Sequence, residues 1–263
     1  MTTLSGRTRL YPVLGYPVSQ VKAPGLLNPL LAEWGLSAVV VPVEVAPARL
    51  ADVLRGLAAT DNVDGVLVTV PHKADVCALA ATVGPAAEVT GTANALRRGP
   101  RGWHADNFDG VGFVRGLAAA GHPVVARRAA VVGAGGAGSA VAASLLTAGA
   151  ARVSVHDVDP VRRAALAARL AVRWPDRVAE GRAADLAAAD LAVNATPLGM
   201  RPADPLPFDP AALRAGALIA DIVMEPAHTP LLVAGRALGM DTHAGAHMLR
   251  EQIPCYRDFF GWP

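Results

Sequence analysis

The segment Val131-Val132-Gly133-Ala134-Gly135-Gly136-Ala137-Gly138 decides how the chain folds. Gly133, Gly135 and Gly138 satisfy G-x-G-x-x-G, a pattern that carries little weight alone and gains it from its flanks. Ala129–Val132 reads as an aliphatic strand, Gly138–Ala148 as a helix, and Arg152–His156 as a second strand. That strand runs into Asp157, 19 residues after Gly138. This is the βαβ unit expected of a dinucleotide site, with an acid about 20 residues beyond the last glycine. Gly133 permits the tight turn and Gly135 lets the backbone approach a pyrophosphate. The helix N-terminus past Gly138 offers unpaired N–H groups to the anion, and Ala134, Gly136 and Ala137 complete the loop. Asp157 would accept hydrogen bonds from the adenosine ribose and repel a 2′-phosphate, so the expected cofactor is NAD, with NADP less favoured. The bland alternatives are a glycine turn that binds nothing and an aspartate that only caps backbone.

Outward from this unit, short β-branched runs alternate with Ala/Leu-rich stretches of helical length, which argues α/β architecture with parallel strands. Strands are expected at Leu10–Leu14, Ala38–Val43, Gly65–Val70, Leu191–Asn194 and Leu218–Ile222. Helices are expected at Gly25–Trp34, Pro47–Thr60, from Ala74, and at Pro160–Val172. Asn94–Arg97 and Gly102–Ala105 suggest a hairpin, and His247–Phe260 a helix interrupted at Pro254. Two domains follow: an N-terminal α/β substrate domain, 1–110 completed by 244–263, and a doubly wound Rossmann-type dinucleotide-binding domain, 111–243. The cleft between two such domains is where the active site is expected.

With 263 residues, 52% hydrophobic, and a net charge of +2, the chain can build a substantial core and offers no basic stripe for nucleic acid. The longest apolar runs are Ala-rich and broken by Gly, Pro or charge, so no membrane span is expected. Met1 to Leu10 has no apolar signal-peptide core, and the two cysteines, Cys77 and Cys255, suggest no disulfide scaffold. The default expectation is a cytoplasmic protein, monomer or homodimer. Of 24 basic residues only Lys22 and Lys73 are lysines. That draws attention to them, because lysine can titrate usefully when desolvated and arginine cannot.

Further motifs stand in a fixed order. Gly65-Val-Leu-Val-Thr-Val-Pro-His-Lys73 precedes Gly91-Thr-Ala-Asn-Ala-Leu96 and Asp106-Asn-Phe-Asp-Gly-Val-Gly112. After the glycine loop come Asn194-Ala-Thr-Pro-Leu-Gly-Met200, Asp221-Ile-Val-Met-Glu-Pro226 and Met248-Leu-Arg-Glu-Gln252. This series, from about residue 10 to residue 256, resembles the shikimate/quinate dehydrogenase family. The resemblance implies an oxidoreductase acting on a small cyclic hydroxy compound. It implies Lys73 and Asp109 as the catalytic pair, Asn94 as the residue that binds a ring hydroxyl, and Thr69 and Gln252 as pocket residues. Thr196, Ile222 and Gly245 would flank the nicotinamide. The chemistry suits these types, since oxidising an alcohol needs a hydride acceptor and a base for the hydroxyl proton, and a lysine beside a carboxylate can carry that proton. The alternative for the pair is a solvated ion pair joining two loops. Which of the two holds the proton is not fixed by sequence, because coupled groups titrate together.

The chain also departs from the family's pattern. Where typical members read G-x-P-I-x-H-S-x-S-P, this one reads Gly15-Tyr-Pro-Val-Ser-Gln-Val-Lys-Ala-Pro24. Val21 and Ala23 stand at the two serines whose hydroxyls hold the substrate carboxylate. Leu67 replaces an asparagine, Met224 a tyrosine, and Phe108 a threonine. A hydrogen bond to a charged group contributes roughly 1.5–3 kcal/mol, so losing two donors weakens binding of the parent acid by about two orders of magnitude. Ser19, Gln20 or Lys22 are the available substitutes. His156-Asp157 stands where NADP-using members carry Asn-Arg, which reinforces the expectation of NAD.

Other classes fit less well. A non-catalytic dinucleotide-binding sensor on the same scaffold would account for the altered pocket but not for Lys73 and Asp109. A short-chain reductase needs Tyr-x-x-x-Lys, which neither lysine completes. A metal site has only His243 and His247 at helical spacing, without a third ligand, so no metal is expected.

Overall fold

The structure, a computed structural model, describes residues 4–263. Residues 1–3, which open both the expected first domain and the segment read for a signal peptide, lie outside the described residues. The chain divides into two compact units, one of residues up to Phe108 together with Ile253–Pro263, the other Asp109–Gln252.

The first unit contains β1 (Arg9–Gly15), α1 (Ala23–Glu33), β2 (Ala38–Glu44), α2 (Leu50–Ala58), β3 (Gly65–Val68), α3 (Lys73–Leu79), β4 (Thr82–Val83), α4 (Pro85–Thr90), β5 (Ala95–Gly99) and β6 (Gly102–Asp106). Its sheet has the order β2-β1-β3-β5-β6-β4. β2, β1 and β3 are parallel, and the β5–β6 hairpin is antiparallel within itself and to β3. The hairpin expected from Asn94–Arg97 and Gly102–Ala105 is present as β5–β6, joined to the parallel strands at β3. A short turn between consecutive strands reverses the chain and forces antiparallel pairing. β3, buried along its whole length, is the central strand, which explains its uninterrupted Gly-Val-Leu-Val sequence.

The second unit contains α5 (Asp109–Ala119), β7 (Arg128–Val132), α6 (Gly136–Thr147), β8 (Arg152–His156), α7 (Pro160–Ala171), β9 (Val178–Glu180), α8 (Ala183–Ala187), β10 (Leu191–Asn194), β11 (Leu218–Asp221), α9 (Pro230–Ala237) and β12 (Thr242–His243). α10 (Ala246–Phe260) begins in it. The sheet is wholly parallel, in the order β12-β11-β10-β7-β8-β9. The order reverses between β7 and β10, and such a switch point is where open α/β sheets bind ligands, at the carboxyl ends of the strands. Local chemistry sets the helix starts. Asp159 accepts from the N–H groups of Val161 and Arg162 ahead of α7, and Thr229 accepts from Leu232 ahead of α9, each followed by a proline at the first helical position.

Two sequence expectations are corrected by packing. Residues 109–110 and 244–252 belong with the second unit. Asp109 opens α5, and a side-chain carbon on Gly112 would lie 2.5 Å from the Met248 carbonyl, so the first turns of α10 sit directly on α5. α10 is also unbroken at Pro254. An interior proline costs a helix about 3 kcal/mol. Beyond it, Tyr256, Phe259 and Phe260 join Tyr11, Leu67 and Trp262 in one apolar cluster, and each large side chain buried there stabilises by about 1.5–3 kcal/mol.

Candidate active site

In the first unit the candidate residues gather at one end of β3 and β5. Val68 ends β3, and its N–H donates to the Asn94 carbonyl at 2.8 Å. Thr69 follows, its N–H bonded to the Leu14 carbonyl at 2.9 Å and its carbonyl accepting from His72 at 3.0 Å, and the turn delivers Lys73 to the start of α3. Lys73 is 9% exposed. Its carbonyl accepts from Ala93 at 2.8 Å, which ties the start of α3 to the segment carrying Asn94. His72 is fully buried with Nε2 2.7 Å from the Val45 carbonyl.

Asn94 is fixed on every side. Its N–H donates to Asp106 at 3.0 Å. Its side-chain Oδ1 accepts from the Phe108 N–H at 2.9 Å, and Nδ2 donates to the Tyr256 hydroxyl at 3.1 Å. Neighbouring Asn107 donates to the Thr92 carbonyl and hydroxyl at 3.2 and 3.0 Å. Tyr256 is a residue that motif reading missed. The signal available was its place one helical turn after Gln252.

Four of the five departures from the family pattern share one environment. Leu67 is buried in the cluster that contains Tyr256, and Val21, Ala23 and Phe108 pack against it. The Phe108 ring meets Tyr256 edge-on at 5.7 Å. Ser19 and Gln20 are bonded locally, Ser19 to Gln20 at 3.4 Å and Gln20 to the Pro17 carbonyl at 2.9 Å, and Lys22 is exposed at the start of α1.

In the second unit the carboxyl ends of β7, β8, β10 and β11 bring the remaining candidates together. A side-chain carbon on Gly133, which has φ of 110°, would sit 2.7 Å from the Ala195 carbonyl, and one on Gly138 would sit 1.8 Å from the Gly133 carbonyl. Both glycines are thus demanded by the fold. Gly135 is different: nothing lies within 4 Å of the place a side chain would occupy. The N-terminus of α6 and the open face at Gly135 fit a dinucleotide phosphate, since they leave backbone N–H groups accessible to an anion. Asp157 accepts from Ala134 at 2.7 Å and from Asp159 at 2.8 Å, and Arg162 stands 3.5 Å from it. It is therefore a backbone cap, and each oxygen retains a second lone pair for a ligand.

Beside the loop, Asn194 donates to Asp221 and to the Leu198 carbonyl, both at 3.0 Å, and accepts from the Thr196 hydroxyl at 2.7 Å. Asp221 is completely buried, which pushes its carboxyl above the ordinary range, while bonds from Thr229, Val223 and Asn194 oppose the rise. This network fixes the turns carrying Thr196 and Ile222. Gly245 reaches the same edge, where a side-chain carbon on it would lie 2.5 Å from the Ile222 carbonyl. Met224 is half-buried just beyond β11. Asp109, 3% exposed, opens α5 and accepts from Gln252 at 3.2 Å. His243 and His247 stack with ring centres 4.8 Å apart, His243 edge-on to Phe113, which is a packing arrangement. Among the described residues no three His, Cys, Asp or Glu side chains form a metal-binding group, and no helix is long and apolar enough to cross a membrane.

Residues 13–96 match the family model described as the shikimate dehydrogenase substrate binding domain. Over 262 residues the chain is 38% identical to a shikimate dehydrogenase (NADP(+)) of Acidiphilium cryptum, covering 98% of this chain and 92% of that one. Its fold is similar to the crystal structure of shikimate dehydrogenase from Aquifex aeolicus, with TM-score 0.88, 27% identity, and coverage of 98% and 95%. It is also similar to quinate dehydrogenase from Corynebacterium glutamicum in complex with NAD, with TM-score 0.85, 30% identity, and coverage of 97% and 94%. A glycine loop at the switch point of a parallel sheet, a buried lysine and asparagine on a mixed sheet, and full-length similarity agree: the chain belongs to the shikimate dehydrogenase family of nicotinamide dinucleotide-dependent oxidoreductases.

Proposed function

We propose that the protein transfers hydride between NAD and the ring hydroxyl or ketone of a shikimate- or quinate-like cyclic compound, with Lys73 and Asp109 handling the proton. The observation that carries this reading is Lys73 itself. A lysine kept 9% exposed at the end of a turn, its backbone tied to the segment that carries Asn94, is not a solvated surface charge. Burial of an ammonium is costly and persists where the charge is used or compensated.

The dinucleotide supplies the hydride acceptor. Asn94 offers its amide to a ring hydroxyl. The Lys73–Asp109 pair takes up the hydroxyl proton as the C–H bond breaks, and the Lys73 ammonium returns a proton to the forming alkoxide in the reverse direction. Asp109, which accepts from Gln252 at 3.2 Å, is assigned as the carboxylate of that pair. Such acid–base assistance accelerates the step by about 10²–10⁴.

Two finer assignments follow. NAD is preferred over NADP because Asp157 puts a carboxylate where a 2′-phosphate would need a cation. The curated relatives named for NADP(+) and the quinate dehydrogenase solved with NAD bracket this choice. The substrate is less acidic than shikimate at the end that meets Val21, Ala23, Leu67 and Phe108, because that end is apolar, and Met224 is read as part of the same change. The test is NAD reduction with shikimate, quinate, methyl shikimate (the uncharged ester) and a panel of cyclic polyols. A kcat/KM for methyl shikimate at least equal to that for shikimate is expected. Shikimate turned over far better than its ester, and as well with NADP as with NAD, would defeat both assignments.

A further inference from the structure

We infer that Tyr256 is a positioning and specificity residue of the substrate pocket, acting through Asn94. This rests on the reading of Asn94 as the residue that meets a ring hydroxyl.

A carboxamide has nearly the same shape in its two flipped orientations, yet one presents a donor and the other an acceptor. In this chain the Phe108 N–H chooses between them, and the Tyr256 hydroxyl, which can donate or accept, holds the chosen one. The Phe108 N–H, which can only donate, meets Oδ1 at 2.9 Å, and the Tyr256 hydroxyl oxygen accepts from Nδ2 at 3.1 Å. The Phe108 bond is made only when the nitrogen lies on the Tyr256 side, where the hydroxyl anchors it, so a ligand oxygen approaching that side meets an amide nitrogen held in place. Tyr256 comes from α10, 162 residues away in sequence, and is 4% exposed. Its ring lies edge-on to Phe108 and stacks on Phe260 at 6.2 Å. For packing alone a phenylalanine would serve, and burying a hydroxyl without a partner is costly. The hydroxyl is accounted for by Asn94.

The same ring forms one apolar wall with Leu67 and Phe108, next to Val21 and Ala23. Tyr256 thus joins the two halves of the pocket: its oxygen anchors the amide that meets the hydroxyl of a substrate, and its ring lines the end where a carboxylate would be unwelcome. The ligand class is a ring alcohol or ketone with an uncharged substituent.

The experiment uses the full chain, saturating NAD and methyl shikimate as probe, with the parent, Tyr256→Phe, Asn94→Ala, the double variant, and Lys73→Ala as control. Tyr256→Phe is expected to raise KM for the probe about tenfold, the loss of roughly one hydrogen bond. It should leave kcat and KM for NAD within about twofold. The double variant should be no worse than Asn94→Ala, because both act through one amide. A Tyr256→Phe enzyme with parental KM, or a double variant whose losses multiply, overturns the inference while loss of turnover in Lys73→Ala keeps the reading of the site. A parent that turns over no probe, or a fully active Lys73→Ala, overturns the site reading and this inference with it. If Tyr256→Phe fails to fold, Tyr256→His, which keeps a ring and a polar atom, takes its place in the cycle.

Discussion

The N–H of Ala134, in the glycine loop, donates to the carboxylate of Asp157 at 2.7 Å, so the acid at the end of β8 also holds the loop at the end of β7. The two ends of the βαβ unit are one hydrogen-bonded piece, and Arg162 stands 3.5 Å from the same carboxylate. Replacing Asp157 removes the pin and releases that guanidinium. Asp157→Ala is expected to lower kcat/KM with NAD by about tenfold, consistent with losing charge-assisted hydrogen bonds of 1.5–3 kcal/mol each, and to raise the NADP/NAD ratio. Initial rates with both dinucleotides check this; an unchanged ratio contradicts it.

Gly135 and Gly138 differ in what they meet, so their alanine variants should separate fold from function. Gly138→Ala puts a carbon 1.8 Å from the Gly133 carbonyl and should destabilise the second unit by about 1–3 kcal/mol or more, seen as a lower melting temperature without ligand. Gly135→Ala meets nothing in the protein and should melt like the parent while binding dinucleotide at least tenfold more weakly, measured by fluorescence titration.

Restoring hydroxyls should restore the acid. Val21→Ser with Ala23→Ser is expected to raise kcat/KM for shikimate about 100-fold, two hydrogen bonds to a carboxylate, and to leave that for methyl shikimate nearly unchanged. Equal gains for acid and ester would show that these positions do not face the carboxylate.

His243 makes the fold sensitive to acid. Burial, with His247 and His122 nearby, lowers its pKa from the ordinary 6.5 to about 4. The unfolded chain therefore takes up a proton near 6.5 that the folded chain refuses until about 4. Stability is complete above the unfolded pKa and falls as pH drops through this window, by up to about 3 kcal/mol. Urea titrations between pH 7 and pH 4 should show the fall, and His243→Gln should flatten it. An unchanged pH slope in that variant would contradict the assignment.

The second unit was legible in sequence because its signals are local. A buried parallel strand is a run of apolar residues, and β7, β8, β10 and β11 fall within a residue or so of where they were read. α4, α5, α8 and α9 were not foreseen. α5 buries three glycines, Gly110, Gly112 and Gly116, at close contacts, and its sequence lacks the apolar period that marks a surface helix. α10 was wrongly interrupted because the penalty of Pro254 is local while the burial of Tyr256, Phe259 and Phe260 is not. The same distinction governs the candidate site. Lys73, Asn94 and the glycine loop lie in contiguous motifs. Tyr256 belongs to the site by a contact across 162 residues, for which the one local hint was its place a helical turn after Gln252.

The most direct test of the account compares the parent with Lys73→Ala in two measurements, dinucleotide binding and NAD reduction with methyl shikimate. Binding should be unaltered in the variant and turnover should fall at least 100-fold. If both proteins bind NAD and neither reduces it with any cyclic alcohol, the chain is a dinucleotide binder rather than a dehydrogenase; if the variant keeps the parent's rate, Lys73 moves no proton.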